Sequence, residues 1–125
     1  GAEIAAYTAL TIFALHQQSQ NQPMHDAKVS FGRAVGKLVG NTTSSMKKRF
    51  DSLLTAQTEN ARQHYLRSLI TLLRSKSIGF NYGQFAVDYM YLQNSSTRKN
   101  VLYRWNCEFS YGLVPPRSED SKTTE

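Results

Sequence analysis

Two glycines and a lysine in SFGRAVGKLVG, residues 30–40, first suggest chemistry at a phosphate group. A phosphate-binding loop reads G-x-x-x-x-G-K-[ST] and follows a strand. Here three residues separate Gly32 from Gly36, and Leu38 takes the hydroxyl position that would bind magnesium. The preceding MHDAKVS is not a convincing core strand. The segment therefore does not predict a nucleoside triphosphate site.

A short helix accounts for the same residues better. Arg33 and Lys37 are four positions apart and share one face. The apolar Ala34, Val35 and Leu38 share another face, which predicts a buried side and a basic outer side.

Glycine costs ~1 kcal/mol relative to alanine inside a helix. Gly32 and Gly36 therefore indicate a close approach, either of a packed helix or of a sugar-phosphate backbone, and tight helix packing is the simpler reason for each. We expect Ser30 to cap this helix, with Phe31 on its apolar face, and Gly40-Asn41 to end it.

Basic residues dominate the middle of the chain. The net charge is +6, and ten Lys or Arg lie between Lys28 and Lys76, opposed only by Asp51 and Glu59. This excess indicates a polyanionic partner, with a solvated basic surface as the alternative.

Two further patterns could place charge on one surface. Lys47, Lys48 and Arg49 are consecutive and spread over ~200° of a helix, and Lys47 can pair with Asp51. Farther along, two arginines seven positions apart form a polar stripe with two intervening residues (Arg67, Arg74, Gln63, Thr71). Such a stripe could follow phosphates, bind helix ends or bind a protein.

Aromatic side chains could stack on bases, but most lie at core-facing spacing. We expect Phe13, Phe50, Phe85, Trp105 and Phe109 to be buried. Tyr82 and Tyr91 are the candidates for exposure.

No pattern predicts catalysis, a cofactor or a metal site. His16, His25 and His64 lack metal-binding spacing, and Cys107 is the lone cysteine, without an evident histidine partner. Asp88 and Glu108 are single carboxylates on separate predicted helices, and Glu108 can pair with Arg104 four residues before it; we expect no enzyme activity.

Length and composition fit one globular domain. The 125 residues are 40% hydrophobic, and no apolar run reaches the ~18 residues of a membrane span. The first apolar stretch lacks a basic leader, so we expect no signal peptide and a cytoplasmic setting.

Hydrophobic periodicity predicts an all-α fold, a compact bundle of five to six helices with no sheet. The first helix, from Glu3 to Gln18, is expected to be mostly buried through six positions (Ile4, Tyr7, Ala9, Leu10, Phe13, Ala14). Later helices are expected from about Ser44 to Ala56, from Thr58 or Asn60 to about Lys76, from Asn81, and from Ser95 or Ser96 to Pro115-Pro116. We expect a helical domain over residues 1–113 and a disordered tail over 114–125.

Particular residues are expected to set these helices. Apolar stripes are predicted at 46, 50, 53 and 54 in the third helix and at 65, 66, 69, 70, 72 and 73 in the fourth. Asn81 and Gln84 resemble a capping box for the fifth helix, which would bury Phe85, Val87, Tyr89, Met90 and Leu92. The sixth would bury Val101, Leu102, Trp105 and Phe109.

Several stretches, in order, resemble one known family. They are VSFGRAV, KKRFDSLLTA, LRSLITLLRSKSIGFNYGQFAVDYMY and VLYRWNCEFSY, preceded by LHQQSQNQPMH. The set is similar to the CasB small-subunit family of the type I-E CRISPR Cascade complex, over roughly residues 7–111. No single motif is specific, but the ordered set is.

The resemblance implies an all-α subunit without enzyme activity or cofactor, present in two copies among other Cascade subunits. It would help to hold the guide RNA–target DNA heteroduplex and the displaced strand. The family's basic surface corresponds best to Arg33, Lys48, Arg49, Arg67, Arg74 and Arg104, with Lys37 and Arg98 as weaker candidates. Family members carry a helical segment before this point, so the resemblance predicts that the chain lacks one.

The chain departs from the family pattern in two stretches, at residues 81–85 and at residues 106–110. Asn81 replaces an aspartate and Phe85 a leucine, while the tripeptide at 106–108 replaces Gly-x-Asp and Ser110 replaces an aromatic residue. The last helix, which carries Arg104, is therefore where packing or binding would differ from the family.

Two other functions fit the charge pattern. A protein-interaction scaffold would use the arginines to bind neighbouring subunits without touching nucleic acid. A helix-turn-helix repressor would need base-reading side chains on a recognition helix.

Overall fold

Six helices make up the computed structural model, which describes residues 1–40 and 44–113. They are α1 (Ala2–Gln17), α2 (Phe31–Gly40), α3 (Ser44–Thr55), α4 (Glu59–Ser75), α5 (Tyr82–Leu92) and α6 (Ser95–Leu113). Within the described residues the only β-type pairing is a single bridge between His25 and Phe80. The predicted all-α fold is confirmed. The predicted tail and the two prolines expected to stop α6 lie outside the described residues.

Short polar side chains begin four of the helices. The Ser30 hydroxyl accepts from the Arg33 amide at 3.2 Å, as predicted, and the Thr58 hydroxyl accepts from the Ala61 amide at 3.1 Å. These contacts satisfy amides that have no partner within the helix.

The starts of α5 and α6 differ from prediction. The Asn81 side chain accepts from the Gln84 amide at 3.0 Å, but the Gln84 side chain binds Asp88, so half of the expected capping box forms. The cap of α6 is Asn94, whose side chain accepts from the Ser96 amide at 2.9 Å, rather than either serine. An asparagine oxygen serves this purpose as well as a serine hydroxyl.

Helices α2 and α6 pack backbone to backbone along three glycines. A Cβ on Gly32 would clash with the Trp105 carbonyl oxygen, and one on Gly36 would clash with the Phe109 carbonyl oxygen. Gly112 lies opposite, where an added Cβ would be 2.9 Å from the Gly36 Cα. The glycines of α2 therefore serve helix packing, the simpler of the two reasons that the sequence suggests.

The seam formed by Gly32, Gly36 and Gly112 brings aromatic rings together beneath it. Phe31 lies 4.8 Å from Trp105 and 5.1 Å from Phe80, centroid to centroid, and Phe85 stacks on Trp105 at 5.9 Å. One turn farther along α6, Phe50 stacks on Phe109 at 4.8 Å. Four of the five predicted core aromatics are fully buried, and Phe13 is half-buried against this core.

The predicted buried face of α1 is wrong. Ile4, Tyr7 and Leu10 are 42%, 68% and 70% exposed, and Ala14 is exposed as well. Of the predicted set only Ala9 is buried and Phe13 half-buried, and the other inward residues are Ala5, Thr8, Ile12 and His16.

Polar partners on other helices explain this rotation of α1. The Thr8 hydroxyl accepts from the Gln63 side chain of α4 at 2.7 Å, and Gln63 also donates to Glu59, which accepts from the Tyr89 hydroxyl at 2.7 Å. Burial would raise the pKa of Glu59, but the hydrogen bonds from Gln63, Tyr89 and Arg62 outweigh it and lower that pKa. A hydropathy pattern does not register such a network.

Tyr82 and Val87 also differ from prediction. Tyr82 is buried because its hydroxyl lies 2.7 Å from His16 Nδ1, while His16 Nε2 donates to the Ile78 carbonyl at 2.7 Å. Burial lowers the pKa of His16 despite that backbone bond, so the neutral ring is favoured. Val87 is 44% exposed, whereas Tyr91 is exposed as expected at 47%.

A buried carboxylate joins α5 to α6. Asp88 is 3% exposed and accepts from the Trp105 indole at 3.0 Å, from Gln84 at 2.9 Å and from the Arg104 guanidinium. Arg104 also donates to Glu108 at 3.0 Å, the intrahelical pair predicted from their spacing. Asp88 is thus not the isolated carboxylate expected from the sequence.

None of the helices within the described ranges has the length and apolar character needed to cross a bilayer.

Gly36→Ala is expected to lower the free energy of unfolding by about 3 kcal/mol, because the new methyl group would force α2 away from α6. Gly83→Ala is the matched control, since the nearest atom to its Cβ would be Asn81 Oδ1 at 3.4 Å. The control should be neutral or gain up to ~1 kcal/mol from helix propensity. Chemical denaturation would measure both, and equal effects would contradict the close packing.

Arg104→Met is expected to cost about 2–3 kcal/mol, because it leaves Asp88 buried without its cation. The destabilisation is smaller than for a fully buried pair, since the Arg104 side chain is 40% exposed and Trp105 still donates. Arg67→Met, at an exposed position on α4, should stay within ~0.5 kcal/mol of wild type. Comparable destabilisation of the two variants would show that the ion pair does not stabilise the fold.

Candidate nucleic-acid interface

The packing of α2 determines where its two basic side chains lie. Gly32 and Gly36 contact α6, and the apolar residues of α2 face the core, so Arg33 and Lys37 are left on the outer surface. Both are exposed, in agreement with the helical interpretation of this segment. A guanidinium and an ammonium one turn apart can contact neighbouring phosphates.

Helix α3 separates its three consecutive cations. Lys47 donates to Asp51 at 3.0 Å, as predicted, and its ammonium lies 5.9 Å from the centre of the Phe109 ring. Lys48 and Arg49 are exposed, while the next residue, Phe50, is buried. Lys48 and Arg49 are therefore the members of this triplet that can meet an external anion.

The predicted polar stripe on α4 does not act as one surface. Arg67 is exposed, but Arg74 donates to the Leu15 carbonyl at 3.2 Å and to the Gln18 side chain at 2.7 Å. Arg74 thus binds the carboxyl end of α1, one of the alternatives left open from the sequence. Gln63 belongs to the buried network around Glu59.

Two other candidate arginines also have structural partners. Arg98 donates to the Leu92 carbonyl at 2.6 Å and to the Gln93 carbonyl at 3.5 Å, which satisfies the end of α5. Arg104 is paired with Asp88 and Glu108. Arg74 and Arg98 therefore bind carbonyl groups at helix ends, and Arg104 binds a buried carboxylate.

The eight candidates thus fall into two groups. We call the exposed residues of α2, α3 and α4 the outer basic group: Arg33, Lys37, Lys48, Arg49 and Arg67. The other three are bound at helix ends or to a carboxylate. Spacing along one helix predicts only the Arg104–Glu108 pair, because the other partners of the second group lie on other helices or beyond a helix end.

The two acidic residues of the basic segment are each paired with a cation of that segment. Asp51 binds Lys47, and Glu59 binds Arg62 at 3.2 Å. Ten basic and two acidic residues between Lys28 and Lys76 leave this segment with a net charge of +8.

A pocket of about 210 Å³ lies where the start of α2 meets the last turns of α6. It is lined by Lys28, Ser30, Arg33, Glu108 and Tyr111. Of these, only Arg33 was a candidate for binding. Lys28 was counted in the basic segment and Tyr111 lay in the last family-like stretch, but nothing in the sequence brings them together across the bundle.

Arg104 binds both Asp88 and Glu108, two of the residues expected not to act in catalysis. The described residues contain no cluster of three or more His, Cys, Asp or Glu that could hold a metal ion. Cys107 is half-buried.

Comparison with known proteins connects this architecture to a family. The sequence profile of the CRISPR-associated protein Cse2 family matches residues 1–109. No curated protein matches the chain.

A solved structure, that of CasB from Thermobifida fusca, is also similar. It is 32% identical in sequence and superposes with a TM-score of 0.78 over 86% of this chain. The match spans 62% of the length of that CasB chain. Because the family profile matches most of this chain and the solved CasB structure is similar, the chain belongs to the CRISPR-associated Cse2 (CasB) family.

Proposed function

We propose that this chain is the non-catalytic, nucleic-acid-binding small subunit of a type I-E CRISPR Cascade complex in the cytoplasm. It stabilises the guide RNA–target DNA heteroduplex and the displaced strand, beside other Cascade subunits and a second copy of itself. The observation that carries the proposal is the outer basic group within a segment of net charge +8, in a chain of this family.

The chemistry of this surface favours contacts with the nucleic-acid backbone. Lysine and arginine side chains on helix faces bind phosphates without reading bases, and released counterions supply much of the free energy. Sequence specificity then comes from pairing with the guide RNA. A subunit of this kind adds affinity for an opened duplex of any sequence.

The arrangement of the titratable residues supports a role without catalysis. Both ring nitrogens of His16 are bonded in the core. Asp88 is held by three donors from α5 and α6. These groups are committed to the fold and have no open position from which to accept or deliver a proton.

The proposal predicts a specific dependence of binding on salt. Replacing Arg33, Lys48, Arg49 and Arg67 by alanine should weaken binding to single-stranded DNA and RNA. The magnitude of the slope of log K against log salt should fall by about 0.7 for each phosphate that is no longer neutralised. The total decrease is about 3 if all four side chains bind a phosphate. Fluorescence anisotropy at several salt concentrations would measure the slope.

A matched pair of single variants controls for total charge. Arg33→Ala and Lys99→Ala each remove one cation from an exposed helical position, but Lys99 lies on α6, outside the basic segment. Only Arg33→Ala should reduce the slope. If all variants retained the wild-type affinity and slope, the outer basic group would have no role in nucleic-acid binding.

A protein-interaction scaffold is the second candidate function, and the outer face of α1 favours it. Ile4, Tyr7 and Leu10 recur at three-residue spacing and are all substantially exposed. Exposed apolar side chains grouped on one face are typical of a protein contact surface. In this function the Cascade subunits, rather than nucleic acid, are the principal partners.

Tyr7→Ser combined with Leu10→Ser tests the scaffold function. Burying each of these apolar side chains in a complex is worth about 1.5–3 kcal/mol, so recovery of the double variant with the other Cascade subunits should fall at least about tenfold. Tyr103→Ser on α6 removes a similarly exposed aromatic ring and is the control. Normal recovery of the double variant would exclude this face as a subunit contact.

A further inference from the structure

The pocket between α2 and α6 combines groups of different chemistry. Lys28 and Arg33 supply positive charge, and Tyr111, which also lines the pocket, is 71% exposed. The Ser30 hydroxyl accepts from the Arg33 amide, and its own proton remains available to donate. At about 210 Å³ the space suits one small planar group rather than a whole drug-sized ligand.

The carboxylate of Glu108 is the unusual member of this pocket. Its Oε2 accepts from Arg104 at 3.0 Å, but its Oε1 is buried and has no hydrogen-bond partner among the described residues. A buried acceptor without a donor costs free energy, so such an atom needs an explanation. Neither Lys28 nor Arg33, although both line the pocket, forms an ion pair with it in the described part of the chain.

Gly32 is part of the reason why Oε1 lies where it does. A Cβ at Gly32 would stand 3.1 Å from Glu108 Oε1 and 2.9 Å from its Cβ, so the carboxylate packs directly against the α2 backbone. Since Oε1 makes no hydrogen bond with the described residues, turning it toward the pocket breaks none. The bond from Arg104 to Oε2 is the one that such a turn has to keep, and the Arg104 side chain is 40% exposed.

We propose that this pocket binds one unpaired nucleotide and prefers cytosine to uracil. The inference rests on the proposed nucleic-acid function and adds a base preference to it. Lys28 and Arg33 contact the phosphate, and the base stacks on Tyr111. The cytosine 4-amino group donates to Glu108 Oε1, a pairing of carboxylate with cytosine that is established in base recognition.

The chemistry of the two bases explains the expected preference. Uracil carries a carbonyl oxygen where cytosine carries the amino group, so it presents an acceptor to an acceptor and is repelled by the carboxylate. A cytosine in a duplex uses the same amino group for pairing. The pocket is therefore selective for strands whose bases are unpaired.

The test compares oligonucleotides of about 12 nucleotides that contain only deoxycytidine or only deoxyuridine, at one salt concentration and neutral pH. They share one backbone and differ at the position that Glu108 would read. Wild type should bind the cytosine strand about fivefold more tightly. Glu108→Gln should bring the ratio close to one, because an amide both donates and accepts.

Glu3→Gln, at an exposed position on α1, is the charge-matched control and should keep the wild-type ratio. Tyr111→Ala should weaken the binding of both strands by about fivefold or more, because stacking does not distinguish the bases. Circular dichroism would show that each variant keeps the wild-type helical content.

The ratio separates this inference from the function on which it rests. Equal affinity of wild type for the two strands, with binding that depends on salt, would overturn the base preference and leave backbone binding intact. No binding of either strand by wild type would overturn both. A cytosine preference that survives Glu108→Gln would show that another group reads the base.

Discussion

The direct packing of α2 on α6 is the constraint on which most of this structure depends. Three glycines let two helix backbones approach so closely that a single methyl group would have no space. The contact seats Phe31 against Trp105 and brings the start of α2 to the last turns of α6. It also orients α2, so that Arg33 and Lys37 face outward. The same seam thus organises the core, the basic surface and the pocket.

The arginines differ in whether they bind groups of the fold or lie exposed. Arg74 and Arg98 bind carbonyl groups at helix ends, and Arg104 neutralises a buried carboxylate. Arginine suits these positions because its planar fork satisfies several acceptors at once. Arg33 and Arg67 are exposed instead. The positive charge of the chain is therefore divided between cations bound within the fold and cations exposed on the surface, and only contacts distinguish the two.

Local sequence was a good guide to several features whose cause and effect lie in one helix, although not to the caps of α5 and α6. The serine cap of α2, the Lys47–Asp51 pair and the apolar stripes of α3 and α4 all follow from spacing along a single helix. Prediction was wrong where a distant partner decides orientation. Thr8 turns inward because Gln63 of α4 meets it, and Tyr82 is buried because His16 lies beside its hydroxyl.

The sequence by itself determined an all-α chain, the approximate helix bounds, the strongly basic middle segment and, through an ordered set of motifs, the family. The fold class, the helix bounds and the basic segment are encoded by periodicity, capping residues and composition, whereas the family was inferred from the resemblance of the motifs. The tertiary structure alone decided which face of α1 is exposed, which arginines remain outward, and that Glu108 shares a pocket with Lys28 and Tyr111. The physical reason is that these outcomes depend on hydrogen bonds and close contacts between residues far apart in the chain, and helical periodicity carries no information about them.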